Sequence, residues 1–204
     1  VDLSLEGEVK LLKMIKGTLM TEEMLEVVDE NDNVIGIASR KEIHARGLLH
    51  REIHVLFVTP AGDIIFQKRS MSKDTNPGCL TVTVGGHVSI GDSYELTALR
   101  EAAEETGLKL DKTSLIPIEK TFVRTFNRDT NIKHLSYRMV YGHIFEGSMD
   151  ELRVEKGESD GYVSIPIQKM LSLNEDEKLQ FTPSLTDLNI YGPIYEKLQA
   201  LITK

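Results

Sequence analysis

Three glutamates stand at positions 101, 104 and 105, inside the run "GGHVSIGDSYELTALREAAEETGL" that spans residues 85–108. On a helix, positions i, i+3 and i+4 share one face, so this spacing gathers three carboxylates on a single stripe. Like charges so placed weaken an isolated helix by roughly 0.2–0.5 kcal/mol per pair. The segment is otherwise well marked as helical, with Ser93 as a natural N-cap and Gly107 as the C-terminal stop. Leu96, Leu99 and Ala103 are expected on another side, facing the core. Two readings fit the stripe. It is a solvated acidic face, or it holds a hard divalent cation such as Mg²⁺, which prefers several oxygen ligands. The loop in front bears on the choice. Gly85, Gly86 and Gly91 let the backbone turn tightly and approach a ligand closely. A glycine-rich turn, an acidic helix and a cation together suit a diphosphate, whose charge the carboxylates alone would repel. The cation would act as Lewis acid, and one glutamate would deprotonate an attacking water.

The rest of the chain narrows the setting. A net charge of −8 argues against a broad electrostatic grip on nucleic acid, so no nucleic-acid polymer is expected as partner. The single cysteine, Cys79, cannot close an internal disulfide, and no apolar run approaches the ~20 residues that span a bilayer. A cytoplasmic protein without membrane contact is the expectation. Residues 1–22 read as an N-terminal extension, either an added remnant or an extra amphipathic helix, and residues 23–204 as one domain. Within it, "LEVVD-END-NVIGIAS" predicts two strands around an Asn/Asp turn, "RKEIHARG" a short helix, and "IHVLFVTPAGDIIFQKR" a hairpin. "LTVTV", residues 80–84, predicts one strand. "LIPIEKTFVRTF" and "IKHLSYRMVYGHIF" predict two long strands joined by the turn "NRDTN", and "GYVSIPI" a last strand. Two helices should finish the chain, one near "PIQKMLSL" and one from about Pro183 to Thr203. The fold class is α/β (α+β), a mixed sheet with helices on its faces.

The quoted run resembles the signature of the Nudix family, G-x5-E-x7-R-E-U-x-E-E-x-G-U, with U a bulky aliphatic residue. Gly86 opens it, Asp92 stands at its first glutamate, and Arg100, Glu101, Glu104, Glu105, Gly107 and Leu108 complete it. There are two departures: Asp92 is one methylene short, and Ala102 is small. The resemblance implies a mixed sheet sandwiched between helices and Mg²⁺-dependent hydrolysis of a small-molecule diphosphate, with Mn²⁺ as a substitute and a homodimer as an allowed assembly. Glu101, Glu104 and Glu105 would bind the metal, with the Gly85 carbonyl as a further ligand. Arg100 would tie loop to helix, Asp92 and Gly107 would support the motif, and Glu101 or a loop acid, Glu155 or Glu158, would be the base. The alternative is a module that binds a diphosphate ligand without cleaving it.

Beyond the motif, "VVDENDNVIG", "GLLHREIHV", "FQKRSMSKDTNPG" and "FTPSL" look like the branch of bacterial hydrolases related to type I isopentenyl-diphosphate isomerase. That enzyme's catalytic cysteine directly precedes a Gly-His pair, and here Gly85 holds the position, while "HLSYRMVYGHIF" carries no acid for the isomerase's second group. Isomerase activity is therefore not expected. What the relation implies instead is diphosphate handling by Arg69 and Lys73, with Gly86 and His87 against the substrate. His50 and His87 match metal-binding histidines of the isomerase, and His44 lies near a third. With the accompanying glutamates missing, hydrogen-bonding or substrate-contacting roles are expected of them, with residual metal binding as the lesser alternative. His54, His134 and His143 are expected to be structural, and Phe122 and Tyr137 to pack in the core, with a place in the substrate pocket as the lesser reading.

Overall fold

The computed structural model describes residues 22–73, 75–127 and 132–203. The N-terminal extension lies outside these residues except for its last position, and so does the turn "NRDTN" beyond Asn127. Strands β1 (Met24–Val28) and β2 (Val34–Ser39) form a separate antiparallel hairpin. Asp29 organises its turn, its carboxylate accepting from the N–H groups of Asn31 and Asn33 at 2.8 and 2.9 Å. Helix α1 (Arg40–Arg46) follows at once, capped by the Ser39 hydroxyl and closed by Gly47.

The main sheet is built on β3 (His50–Val58), which forms the expected hairpin with β4 (Asp63–Arg69). One edge of β3 runs parallel to β8 (Ile132–Ile144) along its whole length, and β7 (Ile116–Asn127) lies antiparallel beyond β8. The other edge is divided. Phe57 and Val58 pair with β4, while Glu52 to Val55 pair with β6 (Val84–His87). β4 in turn carries β5 (Leu80–Thr81) and β9 (Ser159–Pro166).

The single strand expected over residues 80–84 is thus two, and the cause lies at Thr83. Its fully buried hydroxyl accepts from the Phe57 N–H at 2.9 Å and donates to the Ile65 carbonyl, stitching β3 to β4 where the chain crosses from one to the other. A side chain takes over the hydrogen bonds that a continuous ladder would have made.

Helix α2 (Tyr94–Thr106) covers one face of the sheet, over Ile53, Val55, Phe57 and Tyr141. The other face, with Leu56, Val58, Phe66 and Val140, is covered by α3 (Ile167–Met170), α5 (Pro183–Thr186) and α6 (Leu188–Ile202). A short helix, α4 (Glu175–Lys178), precedes α5. Fully burying each such side chain contributes about 1.5–3 kcal/mol. The last helix does not run unbroken from Pro183. Asp187 accepts from the Asn189 N–H and starts α6 afresh, and the Tyr195 hydroxyl reaches back to the Leu185 carbonyl at 2.8 Å. The architecture is the mixed α/β sandwich the sequence predicts.

Thr83→Val removes the stitching hydroxyl at nearly constant volume and leaves a buried N–H and C=O unpaired. Urea denaturation should show a loss of about 1–3 kcal/mol, most of which Thr83→Ser restores.

Candidate active site

The Ser93 hydroxyl accepts from the Leu96 N–H to start α2, and Gly107, at φ 77°, ends it in the left-handed conformation. Between these caps the helix turns a face of small residues inward: Thr97, Ala98 and Ala102 are buried, and Ala102 is wholly inaccessible. Leu96 is not in the core as expected but 51% exposed, because the inward stripe runs through Ala98 and Ala102 and Leu96 lies on the opposite side of the helix. The small Ala102 is thus accommodated by close packing against the sheet.

The three glutamates occupy a graded position at the helix edge. Glu104 is exposed (53% of its side chain), Glu101 is largely covered (17%), and Glu105 is buried at 6%. Glu101 lies directly on Gly86, so close that a Cβ there would come within 2.7 Å of its carboxyl carbon. Only glycine permits this contact between β6 and the helix. Glu105 points toward β4, where the Gln67 amide donates to it at 2.8 Å and the Gly85 N–H also reaches its carboxylate. Neither partner carries charge. Burial, reinforced by the charge of Glu101, pushes the Glu105 carboxyl up to about 8. Burial raises Glu101 as well, against the pull of Arg100.

Arg100 joins loop to helix. Its guanidinium lies 2.9 Å from Glu101 and 3.0 Å from Glu104, donates to the Ser89 hydroxyl at 3.1 Å, and stands 3.9 Å from Asp92. The shorter Asp92 side chain therefore still faces the arginine, at a distance longer than a hydrogen bond. Behind the helix, the Tyr162 hydroxyl sits 3.1 Å from the carbonyls of Glu105 and Arg153, fixing β9 to the end of α2.

The expected phosphate-binding groups are partly occupied. Arg69 donates to the Thr75 carbonyl at 2.8 and 3.1 Å, and Lys73 forms an ion pair with Glu158. Of the loop acids, the charge of Glu158 adds to the upward shift of Glu105 and that of Glu155 to the upward shift of Tyr162. Phe122 and Tyr137 are not core residues. Phe122 is 50% exposed, its ring packs edge-on against Tyr137 at 5.7 Å, and the Tyr137 hydroxyl donates to the Glu30 carbonyl in the β1–β2 turn.

His54 bonds the Tyr191 hydroxyl and His143 lies 3.1 Å from the Ser114 carbonyl, both structural contacts. His44, His50 and His87 gather instead with His134, on the face of the sheet away from α2. Gly86 faces the helix, so strand alternation turns the next residue, His87, to the opposite side. His134, expected to be structural, lies 3.1 Å from the Glu52 carboxylate, in a polar alternation His134, Ser136, Arg138 on a strand otherwise rich in apolar residues.

With divalent cations chelated, Glu105 binds its proton more tightly folded than unfolded. Its contribution is complete below the ordinary carboxylate range, near pH 4, and is lost as pH rises through about 8. Melts at stepped pH in EDTA should show stability falling between pH 5 and 8, and Glu105→Gln should flatten that slope.

Residues 48–185 match the family model of the NUDIX domain. An uncharacterized Nudix hydrolase of Clostridium acetobutylicum is 32% identical over 157 residues, covering 74% of this chain and 73% of that protein. Isopentenyl-diphosphate Delta-isomerase 2 of Photorhabdus laumondii is 31% identical over 130 residues, 64% of this chain and 69% of that one. Several other curated relatives are matched over only about half of their own length. Among solved structures, a Deinococcus radiodurans protein superposes with a TM-score of 0.65 at 24% identity, covering 83% of this chain and 99% of that one. A domain match over most of the chain, relatives of this identity and the shared fold together make it a member of the Nudix hydrolase family.

Proposed function

We propose that this chain hydrolyses the diphosphate linkage of a small molecule, such as a nucleoside diphosphate derivative, with Mg²⁺ or Mn²⁺ held by Glu101, Glu104 and Glu105. The observation that carries the reading is Glu105: a carboxylate buried beside two other glutamates, with only neutral donors against it. A site of hard oxygen ligands with an uncompensated buried acid fits a divalent cation better than it fits an empty helix face. When bound, the cation would neutralise diphosphate charge and act as Lewis acid.

The remaining work falls to the chain itself. Arg100 holds Glu101 and Glu104 in place and fastens the loop at Ser89. Gln67 and the Gly85 N–H orient Glu105. The Gly85 N–H is thus committed to that carboxylate, which leaves its carbonyl as the further ligand. Gly86 keeps the backbone low enough for Glu101 to lie across it. Of the loop acids, Glu158 is the better base: its charge reaches Glu105, and it is paired with Lys73, whose ammonium would move onto a phosphate oxygen when substrate arrives. Arg69, tied to Thr75, would shape that loop as much as grip the substrate.

An isomerase reading lacks its groups, since Gly85 offers no thiol, β8 carries no acid, and Cys79 stands before β5 rather than in β6. The reading rests on this chain's own residues, and the substrate class follows from the charge they present.

Phosphate release, coupled to a phosphatase, would be followed across nucleotide, sugar, coenzyme and prenyl diphosphates with Mg²⁺, Mn²⁺ or EDTA. One class should turn over only with metal. On it, Glu105→Gln should lower kcat more than about 100-fold and Arg100→Ala about 10- to 100-fold. Undiminished turnover by Glu105→Gln would sink the mechanism. Metal-dependent binding without turnover would identify a sensing module instead.

A further inference from the structure

The β1–β2 hairpin lies ahead of residues 48–185, the span that matches the NUDIX domain, and it forms a two-stranded sheet of its own. It nevertheless reaches the turn that leads into the glutamate helix. Leu25 bridges Ser89 in antiparallel fashion, and the Gly91 N–H donates to the Glu26 carboxylate at 3.0 Å. Within the turn, the Val88 N–H donates to the Arg51 carbonyl and the Asp92 N–H to the Ser89 carbonyl, each at 3.0 Å. Gly91 stands at φ 80°, in the left-handed region, with open space where a Cβ would be. The backbone conformation, not crowding, is what asks for glycine there. Glycine by itself fixes little, so the partner of its N–H decides where the turn rests, and that partner is Glu26.

Glu26 is itself held. Arg51 donates to its second oxygen at 3.2 Å, and the same guanidinium donates to the Asp32 carboxylate at 2.6 Å and to the Asp32 carbonyl. All three side chains are largely covered. Asp32 is fixed in turn at the tip of the hairpin, where its carboxylate accepts from the Tyr94 hydroxyl at 3.0 Å and pairs with Lys120 of β7. It stands at φ 64°, a conformation that a residue other than glycine keeps where its surroundings impose it. A line of contacts thus runs from β7 and α2 through Asp32, Arg51 and Glu26 to the Gly91 N–H. Charge-assisted bonds of this kind are the stronger and more directional ones.

The turn is gripped from its other side by the glutamate helix. Arg100 donates to the Ser89 hydroxyl, while the Ser89 backbone bridges Leu25. Ser89 therefore lies between the hairpin and the arginine that holds Glu101 and Glu104. A shift of Gly91 would move Ser89, and with it the anchor of Arg100. A displacement of about 1 Å in such a support can cost about 100-fold in rate without touching the chemistry.

We propose that the β1–β2 hairpin is a splint for the glycine-rich loop, and that Glu26 is a positioning residue for the hydrolysis, acting through Gly91, Ser89 and Arg100 on Glu101 and Glu104. The role rests on the reading of those glutamates as the metal-binding groups. It makes residues outside the NUDIX match a part of the site, and it asks of position 26 an acceptor oxygen at the reach of a glutamate.

The test uses the full chain and the diphosphate class that it turns over. Glu26→Ala should lower kcat about 10- to 100-fold at saturating Mg²⁺, with KM changed by less than about 2-fold. Glu26→Gln, which keeps an acceptor at the same reach, should restore most of the rate. Glu26→Asp, which keeps the charge but draws it back from Gly91, should not. Amide hydrogen exchange, followed by NMR, should show Gly91 losing protection in the alanine and aspartate variants and keeping it with glutamine, while β3 and β8 stay protected. Ile35→Thr, on an exposed position of the hairpin, should leave both kcat and Gly91 exchange unchanged. Glu26→Asp keeps the test open if Glu26→Ala fails to fold. Full kcat in the alanine and aspartate variants, beside the expected loss in Glu105→Gln, would overturn the proposal and leave the hydrolase reading standing. Unchanged Gly91 exchange in those two variants would overturn it as well. No turnover by the unaltered chain would overturn the hydrolase reading instead, and exchange at Gly91 would still decide whether Glu26 holds the loop.

Discussion

Strand β3 has one edge to share between two partners, and much of the molecule follows from how it divides it. Its C-terminal residues stay with β4, and its N-terminal half takes up β6. The division brings the glycine-rich run alongside the centre of the sheet, under the start of α2, instead of leaving it at an outer edge. Thr83 makes the exchange affordable in hydrogen bonds, because its hydroxyl satisfies the backbone on both sides of the gap. Parallel pairing of the other edge with β8 then places the beginnings of β3 and β8 side by side, which is why four histidines far apart in the chain converge.

Two buried glutamates show how the same side chain is treated in two ways. Burial alone would raise Glu52, yet the Arg138 guanidinium holds its carboxyl well below the usual range. Removing one member of such a pair strands the other and costs about 3–5 kcal/mol. Glu105 is buried to a similar degree and meets only an amide and a backbone N–H, so its carboxyl rises. The difference lies in the partner, not in the depth. Glu52 is charged and internally compensated, which suits a brace. Glu105 is uncompensated, which suits a group that completes its surroundings with a ligand.

Much of this was legible from local patterns. The caps at Ser93 and Gly107, the turn at residues 59–62 and the long alternating strands depend on nearby chemistry, and the sequence carries that chemistry in short windows. Features set by distant packing were not. Nothing near Leu96 says which side of α2 will turn to the sheet, and nothing near Thr83 says that its hydroxyl will meet β3 and β4. The restart of α6 was readable in principle, since Asp187 with Asn189 two residues on is a capping pattern inside an otherwise helical run. Phe122 and Tyr137 look like core residues by type. Tyr137 instead meets the β1–β2 turn, its hydroxyl donating to the Glu30 carbonyl, and the half-exposed Phe122 ring packs on it. The histidine cluster needed the β3–β8 pairing, which no local window contains.

Gly86 and His87 are adjacent in one strand and face opposite sides of the sheet. A slip of one residue in the pairing of β6 with β3 would carry the histidine under the glutamate helix and the glycine to the far side. Each face would then receive the residue it cannot use: a bulky ring where Glu101 needs empty space, and no imidazole where three others meet. Insertions and deletions in this strand are therefore tolerable only in pairs. The two faces are free to vary in chemistry, but they share a single phase.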